Sequence, residues 1–289
     1  MPRGVPANGQ RMTKKRLAAL EGVAKVEPQA PTETYAQAER RILEAFEILD
    51  DMSQMAIDGD CRSLIVSGPP GLGKSFKVHK NLEESDAEST VTKGYCKATG
   101  LYRLLWKNRH RGSVACFDDC DAILWDETSL NFLKAACDTS LVRTISYGAE
   151  FDMVDAEEGE VIPRSFDFEG SIIFISNVDF DAEVDRGTKI SKHLEAMISR
   201  SHYIDLGLRD KRDYIIRIKH VIADGALTER GLDLEMQEDV MRFIETNQDN
   251  LRELSVRIAL KIADLRVGKK TAHKWEQMAK ATCCRRVRK

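Results

Sequence analysis

The chain has 289 residues, of which 42% are hydrophobic and 31% charged. This composition is typical of a soluble globular protein, and the length predicts two structural units. No apolar run reaches the roughly 18 residues of a transmembrane helix, and the basic N-terminus lacks the apolar stretch of a secretory signal. The seven cysteines are an odd, scattered set, so we expect no disulfide framework and a reducing compartment, the cytoplasm.

The formal net charge of −3 hides an uneven distribution. Residues 1–30 carry six Lys and Arg against two Glu, and residues 266–289 carry nine against one. The intervening 31–265 is therefore acidic. Basic ends are typical of interaction arms, and such arms bind phosphate backbones by releasing counterions. DNA is thus a candidate partner, bound through the ends and not through the body.

Hydrophobic periodicity predicts an α/β domain followed by a smaller all-helical one. Residues 35–57 have helical spacing, and the short apolar runs at 64–67, 113–117, 171–176 and 202–206 alternate with helices. Such runs are typical of a parallel sheet buried on both faces. Further helical patterns lie at 209–223, 233–247, 250–265 and 271–282. The predicted divisions are a basic flexible arm at 1–34, an α/β domain at 35–207, a helical domain at 208–266 and a basic tail with a helix at 267–289.

A phosphate-binding motif, G-x-x-x-x-G-K-[ST], follows the first apolar strand and opens a helix. In such a loop the glycines let main-chain N–H groups wrap the phosphates, and the helix N-terminus adds positive potential. Lys74 would neutralise the β- and γ-phosphates, and the Ser75 hydroxyl would coordinate Mg²⁺. We therefore predict ATP with Mg²⁺ as ligands, and the predicted nucleotide-binding residues are Gly68, Pro69, Pro70, Gly71, Leu72, Gly73, Lys74, Ser75 and Phe76.

Two carboxylates end the next apolar strand, at Asp118 and Asp119. Asp118 is predicted to hold Mg²⁺, directly or through water. Asp119 is predicted to orient and deprotonate the attacking water. The alternative is a plain acidic turn at the end of a strand.

The phosphate loop, the acidic pair and the helical unit behind them resemble the AAA+ ATPases over residues 35–265. The resemblance implies a parallel β-sheet domain flanked by helices, a small all-α lid, and self-assembly into a ring, usually a hexamer. It also implies that Asn177, at the end of the 171–176 strand, is the sensor-1 residue. The family usually has Asp-Glu where this chain has Asp-Asp, so we expect slow hydrolysis.

Two arginines complete the catalytic residues that the resemblance implies. The run 193–201 resembles the box that carries the arginine finger, which places Arg200 against the nucleotide of a neighbouring subunit. The run 250–254 resembles the sensor-2 helix of the lid, where Arg252 would reach the nucleotide of its own chain. Arg257, on the same predicted helix, is a rival for the second role.

An insert before Asn177 contains two predicted strands, 144–147 and 163–168. A hairpin at this place resembles the pre-sensor-1 branch of the AAA+ family, which includes replication helicases and initiators. Its tip, residues 150–160, has six acidic residues and no basic one. Such a tip would repel phosphates, so a surface loop or a protein-docking tip is the better interpretation.

Three other segments are candidates for contact with DNA or protein. Residues 107–111 form a basic turn, and Tyr95 follows Lys93 and Gly94 in a segment similar to the family's pore loops. Tyr95 could stack on bases, grip a peptide or pack in the core. The predicted tail helix carries Trp275, which would either form a binding appendage or pack on the lid.

The runs PRSFDFEGSIIFISN and HLEAMISRS resemble AAA+ ATPases carried by tailed bacteriophages beside their DNA-replication genes. The first hypothesis is therefore an ATP-driven DNA motor, such as a helicase, initiator or helicase loader, acting in host cytoplasm, with another replication protein as a further candidate partner. The second is a protein-remodelling ATPase. The third is a nucleotide-switched assembly protein with little turnover.

Overall fold

A computed structural model of the chain describes residues 33–148, 153–154, 159–268, 270 and 272–286. Contacts divide the chain into two units, Met1–Ala38 and Glu39–Lys289. Apart from its last two residues, the predicted basic arm at 1–34 lies outside the described part. No described helix is both long and apolar enough to cross a membrane.

The described helices alternate with short strands and then continue alone. The helices are α1 (Tyr35–Ile57), α2 (Lys74–Glu84), α3 (Ala98–Lys107), α4 (Glu127–Ala136), α5 (Phe180–Asp185), α6 (Lys189–Ile198), α7 (Lys211–Ala223), α8 (Leu234–Asn247), α9 (Val256–Val267) and α10 (Trp275–Cys283), with a 3₁₀ turn at Asp121–Trp125. The strands are β1 (Ser63–Ser67), β2 (Glu88–Lys93), β3 (Ser113–Asp118), β4 (Thr144–Ser146), β5 (Met153–Val154), β6 (Val161–Ile162), β7 (Ser165–Asp167), β8 (Ser171–Ile175) and β9 (His202–Asp205).

Five strands form one parallel sheet in the order β2–β3–β8–β1–β9. The three central strands, β1, β3 and β8, are buried along their whole length, because helices cover both faces of such a sheet. The predicted parallel sheet is confirmed. Strand β2 was not among the predicted strands, since its sequence ESTVTK is polar and it lies at the edge, where alternate residues face solvent.

The strand register brings three strand ends together at one edge. Ile175 pairs with Val66 of β1 and with Asp118 of β3. The residues that follow β1, β8 and β3 therefore lie side by side. In an open parallel sheet, ligands bind outside these carboxyl ends of the strands.

The insert ahead of β8 contains the two predicted strands. Strands β4 and β7 pair antiparallel with Ile145 opposite Phe166, and β5 pairs with β6 further out. Both Ile145 and Phe166 are buried in the core of the α/β part. Most of the acidic tip at 150–160 lies outside the described residues.

The helical part has a hydrophobic core of its own, built from α7, α8, α9 and α10. In this core the rings of Trp275 and Phe243 lie 5.5 Å apart, centroid to centroid. The tail helix thus packs its tryptophan on the lid, which was one of the two alternatives for this residue. The domain boundary predicted near residue 207 stays a prediction.

Candidate active site

Three glycines give the phosphate loop its shape. The φ angles of Gly68, Gly71 and Gly73 are 145°, 79° and 90°, a region in which side chains are strained. The loop is also tightly packed, because a Cβ at Gly68 would lie 3.1 Å from Leu206 Cβ and one at Gly71 would lie 2.7 Å from Ser255 Cβ. A residue other than glycine at these positions would strain the main chain or push the neighbouring segments away.

Lys74 begins α2 directly after the loop and is only 4% exposed. Its Nζ donates to the main-chain carbonyls of Gly68 (2.5 Å) and Pro69 (2.8 Å), and to Oδ1 of Asn177 (3.0 Å). Burial lowers the pKa of Lys74 to about 8, although the nearby charge of Asp119 works in the other direction. The ammonium is therefore held in the concave loop, beside the unpaired N–H groups of the first helical turn.

Phe76, the last of the predicted loop residues, is 64% exposed. It lies in the first turn of α2, where main-chain N–H groups have no partner within the helix. Any contribution of this position to phosphate binding would therefore be made by its main chain.

Ser75 and Asp118 meet at the site, with 2.7 Å between Ser75 Oγ and Asp118 Oδ1. A hydroxyl and a carboxylate in contact are a donor set that suits Mg²⁺, which takes one or two such ligands and fills its other positions with water and substrate phosphates. Among the described residues no cluster of three or more His, Cys, Asp or Glu could hold a metal. The residues present thus fit a magnesium ion that arrives with a nucleotide.

His79, one turn after Ser75 on α2, also reaches Asp118, with 3.3 Å between Nε2 and Oδ2. Lys93 Nζ, at the end of β2, lies 3.3 Å from His79 Nδ1 and 3.9 Å from Asp118 Oδ2. Burial lowers the pKa of His79. No motif in the sequence marks His79, although its i+4 spacing from Ser75 places both on one helix face.

Asp119 has a φ of 54°, the single positive value among the described non-glycine residues. Its main-chain N–H donates to the Ile175 carbonyl at 3.1 Å. Asn177, which follows β8, donates from Nδ2 to Asp119 Oδ1 at 2.6 Å while its Oδ1 accepts from Lys74. One amide therefore links the loop lysine to the second carboxylate. The positive φ of Asp119 is an unusual main-chain conformation, and strained conformations of this kind are often found at functional sites.

The prediction that Arg252 lies on a lid helix is wrong. The helix begins only at Val256, since the Ser255 side chain caps it. Arg252 stands before that cap, and its Nε donates to the Thr282 carbonyl at 3.2 Å. The predicted helix begins at residue 250, whereas the helix in the structure begins after a serine cap at Ser255.

Arg257, the rival residue, stands at the phosphate loop. Its Cγ lies 3.7 Å from the position that a Cβ of Gly71 would take, and its charge lowers the pKa of Lys74. The neighbouring Val256 N–H donates to the Gly71 carbonyl at 2.8 Å. The amino end of α9 is thus fixed directly on the loop.

Arg200 lies at the amino ends of the strands, opposite the carboxyl ends at which the phosphate loop lies. Its carbonyl accepts from Ser63 Oγ at 3.3 Å, and Ser63 is the first residue of β1. Its guanidinium donates to the Ala196 carbonyl (2.8 Å) and to Asp138 (3.4 Å). Because β1 separates Arg200 from the loop that follows the strand, Arg200 is remote from the site of its own chain.

A cavity of about 450 Å³ adjoins the phosphate loop, lined by Arg41, Ile42, Ala45 and Phe46 of α1 and by residues 205–209 at the end of β9 and just after it. Leu206 belongs to this lining, and it is also the residue whose Cβ would lie 3.1 Å from a Cβ at Gly68. The lining combines apolar side chains, such as Phe46, with charged ones, such as Asp205. The volume of the cavity lies within the range of cavities that hold small ligands, about 300–1,000 Å³.

The AAA+ class of P-loop proteins is defined by five features that this chain combines: the strand order, the loop after β1, the carboxylates at the end of β3, the amide after β8 and the helical unit fixed on the loop. The chain is 36% identical over 252 residues to an uncharacterised 36.7 kDa protein of Enterobacteria phage T4, from the nrdC–mobD intergenic region. The match covers 86% of this chain and 76% of that protein, so the chain belongs to the family of this phage protein.

Solved structures of RuvB from Thermotoga maritima are also similar. A mutant of that protein matches 87% of this chain and 73% of its own at 13% identity, with a TM-score of 0.49. The protein described as a Holliday junction branch migration motor matches 84% of this chain and 68% of its own at 12% identity, with a TM-score of 0.43. No protein-family model matches the chain.

Proposed function

We propose that the chain binds ATP at the phosphate loop and hydrolyses it to ADP and phosphate. The observation that carries this proposal is the position of Asn177, which contacts both Lys74 and Asp119. A phosphate-binding cation and a candidate base lie on either side of one polar side chain. This arrangement supports the proposal, because phosphoryl transfer uses a cation on the phosphates together with a residue that orients the attacking water.

Binding of ATP replaces the hydrogen bonds that Lys74 makes within the unliganded chain. The N–H groups of the loop and the Lys74 ammonium hold the phosphate chain, and Lys74 gives up its contacts with loop carbonyls to do so. Ser75 and Asp118 would hold Mg²⁺, which when bound neutralises charge on the phosphate oxygens. The cavity beside Leu206 is the proposed place of the base and ribose.

Hydrolysis needs a group that takes a proton from water. In the proposed step Asp119 accepts this proton, the water oxygen bonds to the γ-phosphorus, and the bond from that phosphorus to the ADP oxygen breaks. Asn177 holds the carboxylate in place. Because an aspartate reaches less far than a glutamate, we expect slow turnover.

The trans role of Arg200 remains part of the proposal. Its position at the amino ends of the strands supports action on the nucleotide of a second copy, as an arginine finger that stabilises charge in the transition state. We therefore propose self-assembly in a ring, with six subunits as in most of the class.

DNA is the first proposed substrate, with the protein acting as a helicase, initiator or helicase loader, alone or with another replication protein, in the cytoplasm of an infected cell. Exposed basic residues support this proposal; they are Lys270, Lys274, Lys280, Arg285 and Arg286. Tyr95, which is 74% exposed close to Lys93, could stack on a base. Protein remodelling is the second candidate, favoured by the acidic run at 150–160.

The deciding experiment measures steady-state ATP turnover of the wild type and of Lys74→Ala, with and without single- and double-stranded DNA at two salt concentrations. Turnover that Lys74→Ala abolishes supports hydrolysis at this site. Stimulation by DNA that weakens with salt supports a DNA motor. Turnover indifferent to DNA favours protein remodelling, and tight ATP binding without turnover favours a nucleotide-switched assembly protein.

A further inference from the structure

A buried arginine of the lid contacts the phosphate loop. Arg217, on α7, is only 8% exposed. Its Nε donates to the Leu72 carbonyl at 3.0 Å, and its Nη2 lies 3.4 Å from the position that a Cβ of Gly73 would take. The guanidinium carbon stands 3.4 Å above the ring centroid of Phe46, which also lines the cavity beside the loop.

Within the part of the chain that the structure describes, no carboxylate forms a close ion pair with Arg217, although the charge of Asp224, just after α7, acts on it from further away. Other cations near the lid do form such a pair, as Arg41 does in its 2.8 Å contact with Asp213. Burial lowers the pKa of Arg217 to about 10, so the guanidinium remains charged at neutral pH. A buried charge without a close ion-pair partner is costly, and a more distant carboxylate, one ring face and one carbonyl only partly offset that cost.

The surroundings of Arg217 indicate which anion would compensate it. Leu72 and Gly73 belong to the loop whose N–H groups would surround phosphates, and Lys74, the other buried cation there, already has Asp119 nearby. We propose that Arg217 binds the phosphate chain of the nucleotide and so ties lid helix α7 to the occupied loop. This inference rests on the proposed nucleotide binding and adds a binding residue that no motif in the sequence marks.

A purely structural role is the competing explanation, in which Arg217 is a strut between α7, Phe46 and the loop. The two explanations differ in their effect on the unliganded protein. Removing a strut destabilises it, whereas replacing an unpaired buried charge by an apolar side chain of similar length is neutral or stabilising. They also differ in which ligands lose affinity when Arg217 is replaced. Loss of a phosphate-binding residue weakens only ligands that carry phosphates, whereas loss of a strut weakens adenosine as well.

The test compares Arg217→Met with Lys219→Met, an exposed cation of the same helix that pairs with Glu245. Affinities for ADP, inorganic pyrophosphate and adenosine are measured, together with the melting temperature without ligand. We expect Arg217→Met to lower the affinities for ADP and pyrophosphate about 10- to 100-fold, which is the effect of losing one charge-assisted hydrogen bond. Adenosine binding and the melting temperature should not fall, Arg217→Lys should recover part of the affinity, and Lys219→Met should behave as wild type.

Unchanged ADP affinity in Arg217→Met overturns the inference while leaving the proposed function intact. An equal loss for ADP and adenosine, with a lower melting temperature, also overturns it and identifies a strut. If the wild type binds ADP no better than Lys74→Ala, both the proposed function and this inference fail.

Discussion

Asn177 donates a hydrogen bond to Asp119, with 2.6 Å between Nδ2 and Oδ1. The oxygen of the same amide accepts from Lys74 at 3.0 Å. An amide can serve as donor and acceptor at once, so Asn177 fits between a cation and a carboxylate without an uncompensated contact. In the proposed binding of ATP, a phosphate takes over the Lys74 ammonium, and the amide oxygen of Asn177 loses its partner and becomes available to a water molecule. On that proposal the contacts of Asn177 couple nucleotide binding to the position of the candidate base, Asp119.

Asn177→Ala removes this bridge and tests the coupling. We expect turnover to fall about 10- to 100-fold, because Asp119 loses the donor that orients it, while ATP affinity changes little. Steady-state ATPase assays and equilibrium binding of ATP measure the two quantities. Asn131→Ala, at an exposed position on α4, is the control, and equal loss of affinity and turnover in Asn177→Ala would contradict an orienting role.

Asp119→Asn tests the candidate base itself. The amide keeps the shape of the side chain and can still accept from Asn177, but it cannot take a proton from water. We expect turnover to fall about 10²- to 10⁴-fold with ATP binding retained. Asparagine also tolerates the positive φ of this position, so folding should be unaffected. Turnover close to that of the wild type would remove Asp119 from the proposed step.

Variants of Arg257 and Arg252 distinguish the assignment made from the structure, which favours Arg257, from the assignment made from the sequence motif, which favours Arg252. Arg257→Ala should lower ATP affinity several-fold, because its side chain stands beside Gly71. Arg252→Ala should leave affinity unchanged and lower stability slightly, since it removes an exposed hydrogen bond to the Thr282 carbonyl. Calorimetric titration with ATP and thermal unfolding of both variants check this, and the reverse pattern would restore the assignment made from the sequence.

The sequence predicted those parts of the fold that short-range patterns determine. The buried strands β1, β3 and β8 are continuous apolar runs, and the phosphate loop has a fixed spacing of glycines. Strand β2 was not predicted because its pairing with β3, not its own hydrophobicity, makes it a strand. The bounds of α9 depend on a cap at Ser255 within a segment whose apolar spacing continues upstream.

The site was predictable where a residue adjoins a motif and not where it comes from a distant helix. Asp118 and Asn177 each follow a recognisable strand, and the parallel register then brings them together. Arg217 lies 145 positions from the Leu72 carbonyl that it contacts. Nothing in the local sequence KRDYIIRIKHVIA distinguishes it from the other basic residues of α7, so only the packing of the lid on the loop identifies it.

The pKa of Lys74, lowered to about 8 by burial, predicts how binding depends on pH. Above that pH the free protein has largely lost the proton, and a bound polyphosphate restores it by raising the pKa. ADP affinity should therefore fall as the pH rises through 8, and binding at about pH 8.5 should take up a proton. Calorimetry with ADP and EDTA, in two buffers of different ionisation enthalpy, measures this uptake.

Lys74→Arg is the control for the titration, because a guanidinium stays charged throughout this range. Its binding of ADP should take up no proton at about pH 8.5, whatever its affinity. Proton uptake that persists in Lys74→Arg would assign the titration to another group and contradict the prediction.

Arg200 tests whether the active unit is larger than one chain. It lies beside Ser63 at the start of β1, whereas Lys74 follows the loop at the other end of that strand. Arg200→Ala should abolish turnover, leave ATP binding intact and lower stability little, because its contact with Asp138 is partly exposed. ATPase assays and ATP titrations of the purified variant measure these effects.

Mixing two inactive variants distinguishes action on a neighbour from a structural role. Lys74→Ala cannot bind the phosphates but keeps Arg200, and Arg200→Ala has the complementary defect. In mixed assemblies some sites combine an intact loop from one chain with an intact arginine from the next, so turnover should reappear and reach its maximum near equal proportions. A mixture as inactive as its components, although the variants co-assemble in sedimentation, would show that Arg200 does not act across subunits.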